Sequence, residues 1–160
     1  MQTNILLHQY QLVLGARSAL FTYCEQLKTE ELQVPVPEFN NRSINYLLVH
    51  VANTYLFWLC IVGQQKQPHY YTEADITGLE SAKQMFAQID ITVNDFLLLY
   101  KDKIEVPTQY NMPEQRINAS FTPLQLFTHV TTHEFHHKGQ ILIMSRLLGY
   151  IPADTDVIRP

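Results

Sequence analysis

The placement of helix breakers constrains this chain more than any other feature. Of its eight prolines, none falls inside the four stretches that carry helical periodicity, and one, Pro123, sits where a helix tolerates it, at the first position. The first stretch runs from about Thr3 to Leu27, with Leu6, Tyr10, Val13, Leu20, Cys24 and Leu27 on one stripe. Pro35 and Pro37 interrupt the chain next, and residues 31–41 read as an extended linker. A second helix begins near Asn41 or Ser43, either of which can cap it. It carries Ile44, Leu47, Leu48, Val51, Tyr55, Trp58 and Val62, and Gly63 is the expected stop. Residues 64–78 have no periodicity and read as a loop. A third helix spans about Leu79 to Lys101, through Met85, Ile89, Phe96, Leu97 and Tyr100. Around Pro107 and Pro113, β-compatible pieces flank Asn111 and leave room for a short hairpin. Thr122-Pro123-Leu124-Gln125 then fits a capping box, and Gly149 with Pro152 beyond it ends the fourth helix. The expected fold is all-α, a four-helix bundle formed by residues 1–160 as one domain.

Composition excludes several classes. The chain is 46% hydrophobic and 16% charged, which is enough apolar material to fold. Eleven Lys and Arg against fifteen Asp and Glu give a formal charge of −4, and the fourth helix offers only Lys138 and Arg146. Nucleic acid and anionic lipid are therefore not expected partners. Two cysteines, Cys24 and Cys60, make no disulfide scaffold. The N-terminus lacks a basic leader region, and the longest apolar stretch, Tyr55 to Val62, is too short for a bilayer. A cytoplasmic location is expected.

Histidine carries the chemistry. Four of the seven histidines lie within residues 129–137. At about 100° per residue, with His133 at zero, His137 lies near +40° and Leu126 and Met144 near +20°. His129 and His136 fall on the shoulder at roughly −40° and −60°. Two imidazoles one turn apart on an apolar stripe form a bidentate site for a divalent metal. A third ligand must come from another helix, and His50, near the face of Leu47 and Val51, is the candidate. Three neutral histidines leave a coordination position open for water or substrate. Tyr46, Thr54 and Trp58 are candidate pocket residues, and His8 and His69 read as surface residues.

A second motif overlaps the first. His133-Glu134-Phe135-His136-His137 has the H-E-x-x-H form of zinc peptidases, with Glu134 as the candidate general base. Position 143 is Ile where one class of these enzymes places a further histidine, and no strand is evident to hold a peptide. Glu134 remains a candidate base or support for the metal.

The string Ser43-Ile44-Asn45-Tyr46-Leu47-Leu48-Val49-His50, the run from Phe121-Thr122-Pro123-Leu124 into His129 and on to His133-Glu134-Phe135-His136-His137-Lys138-Gly139-Gln140, and the ending Leu148-Gly149-Tyr150-Ile151-Pro152 with Asp154 together resemble the DinB-like family of metal-dependent proteins. The resemblance spans the whole chain. It implies a metal triad of His50, His133 and His137, a four-helix bundle, a homodimer, and zinc or nickel as the metal. It also places Lys138 where arginine is usual. The resemblance implies thiol-dependent transfer or isomerisation with a low-molecular-weight thiol, and the open metal position fits hydrolysis or thiol transfer on a small-molecule substrate. The alternative is a non-catalytic stress-response or binding protein with a structural metal.

Overall fold

The computed structural model describes residues 2–159 and shows four long helices with a small antiparallel hairpin. The helices are α1 (Gln2–Cys24), α2 (Ile44–Tyr55), α3 (Leu79–Leu99) and α4 (Pro123–Leu147). The hairpin joins β1 (Thr108–Met112) to β2 (Ile117–Phe121) and lies between α3 and α4 in the chain. Helix α2 packs on α3 and α4, and α1 packs on the same two. The stripe residues named above for the first three helices fill the core, with Trp58 half-buried at its edge. The all-α bundle expected from periodicity is the observed fold.

The helix ends follow their local chemistry. Ser43, not Asn41, caps α2: its Oγ accepts from the Tyr46 N–H at 2.9 Å. Thr122 and Gln125 cap α4 reciprocally, at 3.1 and 2.8 Å. At the other end Gly149 adopts φ +96°, and the Tyr150 N–H reaches back to the Ser145 carbonyl at 3.0 Å.

Three expectations need correction. The linker after α1 is not simply extended. It forms 3₁₀ turns at Thr29–Gln33 and Pro37–Phe39, the second opened by a proline whose fixed φ suits the first position of such a turn. Asn40 and Asn41 then take left-handed φ values of 55° and 56°, and the chain closes on an isolated bridge between Val36 and Arg42. Second, Gly63 does not stop the second helix. It is helical at φ −72°, and the left-handed residue is Gln65. Gly63 is required for space: a Cβ there would lie 2.5 Å from Cε2 of Phe96. Third, the hairpin turns at residues 113–116, so Asn111 lies within β1, paired with Asn118.

Between α2 and Gly63 the backbone is π-helical over Leu56–Val62. This continuous helix makes the apolar run longer than Tyr55 to Val62 suggests. Ile44–Val62 is long and apolar enough, by length and composition, to cross a bilayer. Yet 72% of it is buried within the bundle, which accounts for its apolarity as that of a core helix.

A polar network crosses the core at one level. Arg17 on α1 forks onto Glu134 on α4, with Nε to Oε1 at 2.7 Å and Nη2 to Oε2 at 2.8 Å. Its Nη1 reaches Asp90 on α3 at 2.6 Å. Tyr10 donates to Asp90 and Tyr55 on α2 donates to Glu134, each at 2.6 Å. All four helices contribute, so the network fixes their relative register.

Candidate metal centre

His50, His133 and His137 come together between α2 and α4. One nitrogen from each lies within 4.8 Å of the others. Among the described residues this is the group of histidine, cysteine and acidic side chains placed to hold a metal ion. The ring centroids of His133 and His137 are 4.4 Å apart, and His50 lies 5.0 and 4.8 Å from them. His137 is buried, and the other two are half-buried.

Hydrogen bonding tests whether these rings suit a cation. The Gln140 side-chain oxygen lies 2.6 Å from Nδ1 of His137, so Nδ1 carries the proton and the Nε2 lone pair is free. That Nε2 faces Nε2 of His133 at 3.2 Å. Nδ1 of His133 is buried with no partner among the described residues. Nitrogen-rich, carboxylate-free surroundings of this kind suit zinc, nickel or a similar divalent ion. Electrostatics agree, because a ligating histidine must be neutral. Burial, then the neighbouring His137 and His50, pushes the His133 imidazole down to about 4. Burial and then the Arg42 charge lower His50. His137 is lowered chiefly by burial, against a raising effect from the Gln140 hydrogen bond.

A cavity of about 320 Å³ opens beside His50, lined by that residue with Asn53, Thr54, Phe57, Trp58 and Tyr70. The π-helical stretch begins at Leu56 and contributes Phe57 and Trp58, whose rings meet edge to face at 5.0 Å. Trp58 in turn meets Phe121 of the hairpin at 5.9 Å and His129 at 5.0 Å. The hairpin thus supports the pocket wall. Asn53 pins the incoming loop by exchanging hydrogen bonds with the Tyr71 backbone at 2.8 and 2.9 Å.

The chain carries a DinB family signature along residues 1–160. The chain belongs to the DinB family. Two similar proteins come from Bacillus subtilis (strain 168). The uncharacterized protein YizA is 27% identical over 147 residues, covering 89% of this chain and 87% of that protein. Protein DinB is 27% identical over 160 residues, covering 92% and 88%.

Within this DinB family chain, the structure brings His50, His133 and His137 to one place. Thr54 and Trp58 line the cavity, while Tyr46 stacks on His50 instead, at 6.2 Å with planes 8° apart. His129 and His136 are exposed flanking rings, and His8 and His69 are exposed. Glu134 is not brought into the histidine group. Its carboxylate accepts from Arg17 and Tyr55 in the core. Lys138 is buried and donates to the Thr155 carbonyl at 2.5 Å, with Asp156 3.8 Å away, so it ties the C-terminal segment to α4.

Sequence reasoning missed Asn53, Phe57 and Tyr70, which only the loop path and the π-helical turn bring to one cavity. It also missed Arg17. Its signal was present: Arg17 stands seven residues after Tyr10 and seven before Cys24, as the charged residue on an otherwise uncharged stripe.

Proposed function

We propose that this protein is a metal-dependent enzyme, a hydrolase or thiol S-transferase, in which His50, His133 and His137 hold a divalent ion, zinc or nickel. The observation that carries the reading is three convergent imidazoles, one of which, His50, lines a 320 Å³ cavity. A divalent ion at such a site supplies a lowered pKa to bound water or thiol, and so a nucleophile near neutral pH. The protein's own residues prepare the site. Gln140 fixes the tautomer of His137. Phe57, Trp58 and Tyr70 offer an apolar surface against which a small-molecule substrate can pack. Glu134 is a positioning residue. It locks α4 to α1 and α2 through Arg17 and Tyr55, and so holds the helix that carries two ligands. That engagement also weighs against the peptidase reading, which needs this carboxylate as its base.

The proposal includes a homodimer and a reducing, cytoplasmic setting. The buried, unpaired Cys24 and Cys60 are compatible with that setting. The test is turnover of a panel of esters and thiol adducts before and after chelation. The reading predicts turnover that chelator abolishes and metal restores, with a small change in melting temperature. A large melting shift with no turnover of any member leaves the ion a structural role only.

A further inference from the structure

Arg42 stands one turn before Tyr46 and two before His50, at the N-terminal end of the α2 stripe that also carries Asn53, Thr54, Phe57 and Trp58. Its backbone is fixed on both sides. The Arg42 N–H donates to the Phe39 carbonyl at 3.1 Å, and its own carbonyl accepts from Val36 at 3.0 Å. The guanidinium carbon lies 4.3 Å over the Tyr46 ring, and that ring is stacked on His50. The charge is therefore two side-chain layers from the metal centre, near enough to be felt at both His50 and His137. Arg42 is exposed, and among the described residues no carboxylate comes within ion-pairing distance of it. The structure thus holds an exposed cation one ring beyond His50, outside the lining of a cavity that is itself neutral and largely aromatic.

We propose that Arg42 is a specificity residue of this site. It seats a carboxylate of the substrate at the outer edge of its guanidinium, beside Tyr46, while the apolar part of the substrate lies against Phe57, Trp58 and Tyr70. The inference rests on the metal-enzyme reading and names its substrate class: a small organic acid with an apolar portion. A carboxylate fits better than a phosphate. One guanidinium offers a planar fork for two oxygens. The neighbouring helix N-terminus adds little, because Ser43 already accepts the Tyr46 N–H and Glu73 accepts from the Ser43 hydroxyl at 2.7 Å, placing a negative charge there.

The test uses cobalt-loaded protein and two thiols of equal length, 8-mercaptooctanoate and 8-mercaptooctanol, whose chains are long enough to pass His50 and Tyr46 to Arg42, titrated at fixed ionic strength and followed by the visible cobalt spectrum. Metal analysis before any thiol is added shows whether cobalt is bound and whether His50→Ala loses it. Failure there overturns the metal reading, and this one with it. With cobalt bound, the parent protein should prefer the acid by about fivefold, the size of a favourable exposed arginine–carboxylate pair. In Arg42→Gln the preference should fall to about one, with cobalt content unchanged, and Arg42→Lys should retain part of it. No preference in the parent, or an undiminished preference in Arg42→Gln, overturns the proposal while leaving the metal centre standing.

Discussion

Arg17 makes four hydrogen bonds with almost no exposed surface, and its charge is balanced by Glu134 and Asp90. Burial alone would favour its neutral form, but the Glu134 carboxylate beside it keeps it charged. Removing one partner leaves the other buried and uncompensated. Arg17→Met should therefore cost about 3–5 kcal/mol of stability, read from urea unfolding. Replacing both Arg17 and Glu134 with apolar residues should recover much of that loss. If the double variant is as unstable as the sum of the singles, the pair is not coupled and the network does not join the helices as described. His137 and Gln140 make a smaller case of the same kind. Gln140→Ala frees the imidazole to change tautomer and should weaken metal affinity by about tenfold or more. Competition with a chromogenic chelator measures this, and unchanged affinity would show that the tautomer is set by something else.

The second helix illustrates what sequence can and cannot specify. Its apolar positions, its cap and its histidine all follow from spacing and local chemistry, because those depend on residues within a turn of one another. The π-helical stretch does not. No pattern within residues 56–62 announces it, and just past its end Gly63 lies against the Phe96 ring of another helix. The same contact explains why a glycine that reads as a helix stop serves as a packing residue. Gly63→Ala must displace the fully buried Phe96, and should cost about 1–3 kcal/mol. A thermal melt measures the loss; no loss would mean that α3 moves freely against α2. The hairpin was legible only as two short pieces, since its turn uses Arg116 at φ +57° rather than glycine or asparagine. For the site, the two histidines one turn apart on α4 were legible from one helix alone. His50 needed the resemblance to become specific, because its meeting with them is a contact between helices.

Viewed whole, the molecule is a bundle that balances one buried charge network against one cluster of neutral imidazoles. The sign of the pH dependence follows. His133, His50 and His137 hold protons less well folded than unfolded, so the unfolded chain takes them up first as pH falls below about 6.5. Without metal, stability should be level above that pH and should fall as pH drops toward about 4, where His133 itself titrates. Urea midpoints at pH 7, 6 and 5 measure this. A rise in stability over that range would contradict the account. Metal affinity should weaken over the same window, because protons compete for the same nitrogens. Sedimentation is the measurement for the proposed homodimer, with a monomer at micromolar concentration counting against it. The central claim is the metal centre itself, and elemental analysis of the purified protein against its His50→Ala and His133→Ala variants tests it most directly. The account predicts about one divalent ion per chain in the parent and a loss of most of it in each variant. Equal metal content in all three proteins, or none in the parent after incubation with zinc or nickel, would contradict it.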